Sequence, residues 1–405
     1  MQMNEKIVVI NGTDSGSTGT IALEIANYVS SNIQTDYVLF TSDKKTKEKR
    51  VIQINDGLSK KINRFLVKVD GSDGFRNNQS TKKLIQHIKN IKPALIHIHN
   101  IHGYFLNMPM LMAFIESTNI PLVWTLHDNW LFTGRCATIP RDCDGLKTNC
   151  EKCKFKKLYP WTFFDFSKKF FKKKLNALSL ISNVTFVSPS QWNKTIAEQS
   201  LIMKNKKIIV INNGIDLNVF NYKNVTHLRE KYHLENKFIV FCAAFAWSEE
   251  KGLSYVNEIA EKLDKNKFAV IMAGATKNIK TSKNVIRLPI ITSSNKMAEL
   301  YSLANVFLTP TLCDNYPTVD MESLACGTPV VTFDTGGAKE IVNANVGRVV
   351  KQGDIEGLYN AIIDLYNNPI DRDYCRQYAM RFSKTLMLDK YLELYKELIG
   401  RKNNG

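Results

Sequence analysis

The stretch that decides the fold is Cys313-Asp314-Asn315-Tyr316-Pro317-Thr318-Val319-Asp320-Met321-Glu322-Ser323-Leu324-Ala325-Cys326-Gly327-Thr328-Pro329-Val330-Val331. A short polar turn here leads into a helix. The helix is predicted to end at Gly327, because glycine readily takes the left-handed backbone conformation that closes a helix. The following residues 328–333 are predicted to form a strand buried on both faces, as in a parallel sheet. Turn, helix and buried strand in this order indicate an α/β protein.

The same alternation extends over the whole chain. A length of 405 residues exceeds what one hydrophobic core usually organises, so two domains are expected. The sequence therefore predicts two doubly wound sheets in series, with the boundary after the turn-rich run Asn212-Asn213-Gly214-Ile215-Asp216. Apolar runs predict strands at 6–11, 37–40, 95–99, 122–126, 185–188, 208–211, 238–243, 268–273, 285–288, 306–310, 330–333 and 348–350.

The polar turn that precedes the helix ending at Gly327 is a candidate anion site. A helix N-terminus presents unpaired backbone N–H groups and a partial positive charge, which together favour a bound anion. Two carboxylates, Asp314 and Glu322, flank the turn. The diphosphate of a nucleotide-sugar fits this arrangement. The residues predicted to hold it are Asn315, Tyr316, Pro317, Thr318 and Val319.

An acid, seven residues and then Glu322, followed by Cys326-Gly327-Thr328-Pro329 and by Gly336-Gly337 with Glu340, resemble the donor site of retaining glycosyltransferases of family 4. The first acid here is Asp314, where the family usually has glutamate. The resemblance implies that Asp314 lies beside the transferred sugar and that Glu322 binds the ribose. It also implies a GT-B fold, with two Rossmann-like domains facing a cleft. The N-terminal domain would be 1–213, joined by a returning C-terminal helix in 385–405, and the C-terminal domain 214–384.

The resemblance extends to the first domain. Gly16-Ser17-Thr18-Gly19, after the first strand, is similar to the family's first loop and is assigned to donor binding. Thr125-Leu126-His127 matches a family histidine that meets the donor sugar near its anomeric centre. The alternative for His127 is a structural residue, and the alternative for the loop is an ordinary strand-to-helix turn. His97 and His99 share one face of their strand and are interpreted as core or site residues.

In the second domain, the family places an arginine and, six residues later, a lysine on the donor diphosphate. Lys251 matches the lysine, while Phe245 occupies the arginine position. The resemblance therefore leaves neutralisation of the diphosphate to Lys251 and to the helix that follows Asp314. A solvated lysine at a helix start is the alternative for Lys251.

Four cysteines, Cys136, Cys143, Cys150 and Cys153, lie within a short Gly-containing stretch. The final pair has the two-residue spacing that wraps tetrahedral zinc, and four thiolates would complete a structural site. The spacing of six residues between the first two is unusual for zinc folds. Reduced thiols without a metal and a redox pair are the alternatives. No catalytic metal is expected.

The chain carries 55 Lys and Arg against 38 Asp and Glu, a formal net charge of +17. Lysines alternate with aromatic residues between Lys152 and Lys174, which is typical of a segment that contacts an anionic membrane surface. The alternative is a solvated basic helix. Nucleic acid is not expected as a partner, because no nucleic-acid-binding signature is present. A cytoplasmic enzyme at the inner face of the membrane is predicted, since the sequence has no signal-peptide core or apolar run of about 18 residues.

The function that the resemblance implies is a retaining, metal-independent glycosyl transfer. The donor would be a nucleotide-diphosphate sugar, with a UDP-sugar favoured. The acceptor would be a hydroxyl of a glycan or of an undecaprenyl-linked glycan in the assembly of capsule, exopolysaccharide or O-antigen. Two alternatives stay open: a nucleotide-sugar epimerase on the same fold, and a catalytically silent subunit that binds sugar nucleotides.

Overall fold

The computed structural model describes residues 6–55, 57–140, 143–157, 160–275 and 279–403. For residues 401–403 it describes the backbone only. The chain divides into two compact units. Unit 1 comprises Met1–Ile211 and Leu388–Gly405, and unit 2 comprises Asn212–Met387. Each unit is an α/β domain with a wholly parallel sheet, so the predicted fold class of two Rossmann-like domains is confirmed.

Unit 1 contains a seven-stranded sheet with the order β3-β2-β1-β4-β5-β6-β7. Its central strands are apolar and buried on both faces, as the four consecutive fully buried residues Ile7, Val8, Val9 and Ile10 of β1 show. The strands are β1 (Lys6–Thr13), β2 (Asp36–Asp43), β3 (Val51–Gln53), β4 (Leu95–Ile98), β5 (Leu122–Thr125), β6 (Val184–Ser188) and β7 (Ile208–Val210). The helices are α1 (Gly16–Ile33), α2 (Gly57–Asp70), α3 (Asn78–Ile91), α4 (Met108–Thr118), α5 (Ser167–Ser179) and α6 (Gln191–Glu198).

Unit 2 contains a six-stranded sheet with the order β10-β9-β8-β11-β12-β13. Its strands are β8 (Phe238–Ala246), β9 (Phe268–Ala275), β10 (Val285–Leu288), β11 (Val306–Thr309), β12 (Val330–Phe333) and β13 (Gly347–Val350). The helices are α7 (Thr226–Lys231), α8 (Leu253–Lys262), α9 (Ser294–Leu303), α10 (Thr318–Ala325), α11 (Ala338–Ile341), α12 (Ile355–Asn367), α13 (Arg372–Ala379) and α14 (Lys384–Asn403). Helix α14 begins in unit 2, and its residues from Leu388 onwards belong to unit 1.

All twelve predicted strands are present, with ends that differ by up to three residues. Strand β3 was not predicted, because three residues at a sheet edge carry too little pattern to distinguish them from a loop. Gly327 closes α10 with a φ of +81°, as predicted. Along the part of the chain that the structure describes, no helix is both long and apolar enough to cross a bilayer.

The strand order reverses once in each sheet, and this places the candidate sites. In an open parallel sheet, ligands bind at the carboxyl ends of the two strands where the order reverses, because the loops diverge there. The reversal lies between β1 and β4 in unit 1 and between β8 and β11 in unit 2. The predicted donor loop follows β11, and the Gly16–Gly19 loop follows β1.

Candidate functional site

The ion pair between Lys251 and Asp314 marks the site in unit 2. Lys251 ends a short 3₁₀ turn after β8, and Asp314 follows β11. The Lys251 Nζ atom lies 3.1 Å from the Asp314 Oδ2 atom, and both side chains are partly exposed. The other carboxylate oxygen of Asp314 accepts a hydrogen bond from the backbone N–H of Tyr316 at 3.3 Å. The structure therefore brings two predicted site residues together at the edge where the strand order reverses.

A third loop closes on Asp314 from β12. Gly336 has a φ of +58°, and a Cβ atom at this position would lie 1.5 Å from the backbone oxygen of Asp314. Only glycine allows this approach, since any side chain would meet the Asp314 carbonyl. The Gly336-Gly337 pair of the sequence motif is thus explained by contact between two loops.

Glu322 lies on α10, partly buried and aimed at a buried tyrosine. The Tyr301 hydroxyl donates a hydrogen bond of 3.0 Å to the Glu322 Oε2 atom. Burial raises the pKa of Glu322 to about 7, against the opposing effect of this hydrogen bond. The carboxyl group is held in place by Tyr301 from α9, which keeps its other oxygen available as an acceptor for a ligand hydroxyl.

The predicted anion site lies at the start of α10. Pro317 is the N-cap residue, and its side chain forms no capping hydrogen bond. Thr318 and Val319 form the first helical positions, while Tyr316 is buried in the core of unit 2. The predicted anion site therefore has the expected helix start, with Tyr316 contributing packing through its ring.

Asp320 is a candidate site residue that sequence reasoning missed. It lies in the first turn of α10, fully buried, and accepts a hydrogen bond from the Thr309 hydroxyl. Burial raises its pKa to about 8, although the Thr309 bond acts in the opposite direction. A protonated Asp320 places no fixed negative charge beside the anion site at neutral pH. The available signal was an acid at a buried helical position, two residues before Glu322.

In unit 1, the loop from β1 to α1 is shaped by its glycines. Gly16 has a φ of +70°, and a Cβ atom on Gly19 would lie 2.6 Å from the backbone of Asp14. Ser17 is exposed and Thr18 partly so at the first turn of α1, which contains no acidic residue. The buried Asp14 accepts hydrogen bonds from the backbone N–H groups of residues 45 and 46 and fixes the loop. Ser17 and Thr18 are therefore accessible at the start of α1, and donor binding by this loop stays a prediction.

His127 follows β5 and is joined to His99, which follows β4. The His99 Nδ1 and His127 Nε2 atoms are 2.7 Å apart, so one ring must donate to the other. His97 lies behind His99, with 4.0 Å between the ring centroids. Its Nδ1 and Nε2 atoms lie 2.6 Å and 2.8 Å from the hydroxyls of Tyr395 and Thr125. His97 is thus a satisfied core histidine, whereas His99 contacts the predicted site residue.

All three of these imidazoles are held neutral. Burial lowers the pKa of His127 to about 4, with Asp128 opposing the shift. Burial also holds the pKa values of His97 and His99 well below their usual range. His102 differs, because the Asp128 carboxylate at 3.1 Å outweighs burial and raises the pKa of His102. His127 is therefore suited to hydrogen bonding and not to carrying charge at neutral pH.

The four predicted metal ligands line one cavity of about 260 Å³ in unit 1. All four are free thiols. The Cys136 thiol donates to Cys153 and lowers the pKa of Cys153 to about 6, and the Gly134 N–H donates to the Cys150 sulfur at 3.2 Å. Within the described ranges, however, no three His, Cys, Asp or Glu side chains are arranged to hold a metal ion. Zinc would require the cysteine side chains to rotate, and it stays a prediction.

Comparison with known proteins identifies the two halves. The family described as Glycosyltransferase Family 4 matches residues 19–219, and the family described as Glycosyl transferases group 1 matches residues 224–382. WcaC of Escherichia coli strain K12, named as a colanic acid biosynthesis glycosyl transferase, is 27% identical over 324 residues, which are 76% of this chain and 77% of WcaC.

Two further proteins are similar over different lengths. The UDP-Gal:alpha-D-GlcNAc-diphosphoundecaprenol alpha-1,3-galactosyltransferase of Escherichia coli is 24% identical over 230 residues, 52% of this chain and 59% of that protein. The crystal structure of HepE from Anabaena in complex with UDP has a TM-score of 0.67 at 15% identity and covers 97% of this chain and 100% of that one. The two matched families follow one another along nearly the whole sequence, so this chain consists of a Glycosyltransferase Family 4 domain followed by a Glycosyl transferases group 1 domain, on the two Rossmann-like units of a GT-B fold.

Proposed function

We propose that this protein transfers a sugar from a UDP-sugar to a hydroxyl group of a glycan or lipid-linked glycan, with retention of the anomeric configuration. The observation that carries the proposal is the Lys251–Asp314 ion pair beside the start of α10, which has no side-chain cap. A cation, a helix N-terminus and a carboxylate at one sheet edge suit a diphosphate attached to a polyol. HepE, which shares the fold, is solved in complex with UDP, and this supports UDP as the nucleotide.

Donor binding would rearrange the ion pair. Without a donor, Lys251 neutralises Asp314 at 3.1 Å. We assign the Lys251 ammonium group to the donor diphosphate, which carries more charge than one carboxylate. Asp314 then becomes available to accept hydrogen bonds from the sugar hydroxyls. Glu322, positioned by Tyr301, accepts hydrogen bonds from the ribose.

The proposed chemical step uses only the donor, the acceptor and residues of this chain. The bond between the anomeric carbon and the diphosphate oxygen breaks, and the acceptor oxygen forms its bond on the same face of the sugar. The acceptor proton passes to the departing diphosphate. Lys251 and the start of α10 stabilise the charge that develops on the leaving group. The neutral His127, oriented by His99 at 2.7 Å, is assigned to hydrogen bonding with the sugar.

The proposed setting is the assembly of a bacterial surface polysaccharide. WcaC is named for colanic acid biosynthesis, and CapM of Staphylococcus aureus, 27% identical over 212 residues, is named for capsular polysaccharide biosynthesis. The galactosyltransferase from Escherichia coli is named for an acceptor that carries diphosphoundecaprenol. These names support a lipid-linked glycan acceptor. The proposal includes peripheral association with the cytoplasmic face of the membrane.

The test is a donor panel with purified full-length protein. Radiolabelled UDP-sugars are incubated with lipid extract, with and without EDTA, and the labelled products are separated. A transferase gives labelled lipid or glycan that persists with EDTA. An epimerase gives an altered free nucleotide-sugar, and a silent subunit gives neither; either result would overturn the proposal.

Lys251→Met is the site variant for this assay. The expected effect is a loss of turnover of at least about 100-fold, because one oxyanion-stabilising group typically contributes that much. Lys262→Met is its control, since Lys262 forms a comparable surface ion pair with Glu356 at 2.5 Å. Equal activity of both variants would show that Lys251 does not bind the donor diphosphate.

A further inference from the structure

Seven large apolar side chains lie exposed on two adjoining segments of unit 1. Three belong to α2, where positions 58, 62 and 65 share one helical face. Leu58 and Phe65 are 71% and 67% exposed, and Phe163 is 64% exposed. Together they are called the apolar patch, which comprises Leu58, Ile62, Phe65, Trp161, Phe163, Phe164 and Phe166. Monomeric proteins rarely leave so many such side chains in one place, so the patch calls for a partner.

The two segments are bonded to one another. The backbone N–H groups of Phe163 and Phe164 donate to the carbonyl oxygens of Lys68 and Val69, at 3.0 Å each. The hydroxyl of Thr162, which is buried, also donates to the Val69 carbonyl at 3.0 Å. Residues 161–166 are therefore anchored to the last turn of α2, and the exposed apolar side chains of the two segments lie on adjoining parts of unit 1.

Positive charge surrounds the apolar patch. Lys61, Arg64 and Lys68 are exposed on α2. The one acidic residue of α2 is Asp70, which pairs with Arg76 at 2.6 Å. On the other segment, the Lys169 Nζ atom lies 5.6 Å from the centre of the Phe166 ring. Asp165 is the acidic residue of the segment 161–166, and its carboxylate accepts hydrogen bonds from the backbone N–H groups of Cys153 and Ser167. Exposed rings with a rim of cations match the headgroup region of an anionic bilayer.

We propose that the apolar patch docks the enzyme onto an anionic lipid bilayer, with α2 lying in the plane of the interface. Lysine is depleted at protein–protein interfaces, so three lysines on a helix of fourteen residues favour lipid over a protein partner. This proposal deepens the proposed function, because it brings the enzyme to a lipid-linked acceptor.

The docking surface coincides only in part with the segment Lys152 to Lys174 that the sequence predicts. Lys174, Phe170 and Phe171 of the basic segment are buried, and the Lys174 ammonium group donates to backbone oxygens of residues 130 and 133. These three residues cannot reach a membrane. Of the predicted segment, residues 161–166 therefore stay in the contacting surface and the buried part of α5 does not, while α2 is added to it.

Liposome co-sedimentation of the full-length protein tests the proposal. Vesicles of phosphatidylglycerol with phosphatidylcholine are compared with vesicles of phosphatidylcholine alone. We expect Ile62→Ser/Phe65→Ser to weaken binding to the anionic vesicles by at least about tenfold, since each buried side chain contributes a tenfold factor or more. Leu180→Ser is the control, because Leu180 is 62% exposed outside the apolar patch.

The charge is tested in the same assay. Lys61→Gln/Arg64→Gln removes two positive charges from the patch, and Lys82→Gln/Lys83→Gln removes two exposed charges from α3. We expect the first pair to weaken binding and the second pair to leave it within about twofold. If both double variants bind the anionic vesicles equally, binding depends only on the net charge of the protein, and the proposed docking site is wrong.

Tryptophan fluorescence supplies a second readout that does not depend on folding changes. Trp161 is 41% exposed, whereas Trp124, Trp130 and Trp247 are buried. Brominated lipids should quench the emission of the wild-type protein, and Trp161→Phe should abolish most of this quenching. Unquenched emission in bound protein, or a patch variant that alters self-association in place of vesicle binding, would contradict the proposal. Glycosyl transfer to a soluble acceptor is measured in parallel, so that a failed docking site and a failed transferase assignment give different results.

Discussion

Glu322 and Asp314 are expected to contribute differently to donor binding, although both are carboxyl residues of one motif. Asp314 is partly exposed and neutralised by Lys251 at 3.1 Å, so water and the donor both reach it. Glu322 is fixed by Tyr301, and burial raises its pKa to about 7. A hydrogen-bond acceptor that is already oriented loses little entropy when a ligand binds.

Glu322→Gln is therefore expected to weaken donor binding more than Asp314→Asn does. At a pH above the Glu322 pKa of about 7 the carboxyl group is ionised, and a hydrogen bond to a charged group contributes about 1.5–3 kcal/mol, so the Kd for UDP should rise about 10-fold to 100-fold there. Titration calorimetry with UDP measures the effect. Glu356→Gln, on an exposed carboxylate, is the control and should bind UDP like wild type. Unchanged UDP affinity in Glu322→Gln would show that Glu322 does not bind the ribose.

Asp320 gives a pH-dependent prediction. Its folded-state pKa of about 8 exceeds the unfolded value, so the folded state retains a proton that the unfolded state loses as pH rises from about 4 to about 8. Stability attributable to Asp320 therefore falls over that window. Asp320→Asn keeps an oxygen for the Thr309 hydroxyl and should gain at least about 1 kcal/mol more in unfolding free energy at pH 8.5 than at pH 4.5. Urea unfolding at both pH values measures this difference, and an equal gain at both would show that Asp320 is ionised in the folded protein.

At the residue scale, the sequence indicated candidate site residues that belong to short motifs. Lys251 and Asp314 were predicted from separate motifs, and the structure places them 3.1 Å apart. Asp320 and the contact between His99 and His127 could not be predicted. Asp320 depends on its burial and on the Thr309 hydroxyl of a neighbouring strand, and His99 meets His127 from another strand, so local spacing does not reveal either contact.

At the scale of elements, the loop after β12 determines the shape of the loop after β11. Gly336→Ala should disrupt the Asp314 loop, because its Cβ atom would lie 1.5 Å from the Asp314 carbonyl oxygen. Gly353→Ala is a matched control: it has a φ of +86°, but its Cβ atom would meet nothing closer than 3.6 Å.

Both variants incur the cost of a left-handed alanine, about 1 kcal/mol. We expect Gly336→Ala alone to lower UDP affinity, by at least about tenfold. Calorimetry with UDP and thermal unfolding separate the two effects. Equal UDP affinity in both variants would mean that the two loops do not act together.

The loop that contains the four cysteines gives a prediction about the metal content of the protein. If the Cys136, Cys143, Cys150 and Cys153 side chains rotate to bind zinc, anaerobically purified protein contains about one equivalent of metal. Cys150→Ser should then lose both the metal and several degrees in Tm, while Cys375→Ser, at a buried cysteine of unit 2, should retain the metal. Metal analysis that finds no zinc in the wild-type protein would decide for reduced thiols or a redox pair.

Elements with a strong period were predictable, and elements defined by tertiary contact were not. The buried parallel strands appear in the sequence as apolar runs, and all twelve predicted strands are present. Helix α2 has apolar residues at helical spacing, as a core-facing helix would. Only its exposure reveals that this face is unpartnered. The aromatic residues after Lys152 were interpreted as one segment, although α5 buries both of its rings and residues 161–166 expose theirs.

At the scale of the whole molecule, two units of similar design each present a helix start at a reversal of strand order. In unit 1 this is α1 with its glycine loop, and in unit 2 it is α10 with Lys251 and Asp314. Chain length predicts two domains, and the motif order predicts which one binds the nucleotide. The identity of the sugar and of the acceptor could not be predicted, since these depend on the detailed shape of the site and not on the motif.

The most direct test of the central claim is the stereochemistry of the product. Purified protein is incubated with each of a set of α-linked UDP-sugars and with lipid-linked glycan acceptors, and the new linkage is examined by NMR. The account predicts one added sugar in the α configuration, formed by wild type and reduced at least about 100-fold in Lys251→Met. A β-linked product, or a free altered UDP-sugar without a glycosylated product, would contradict it.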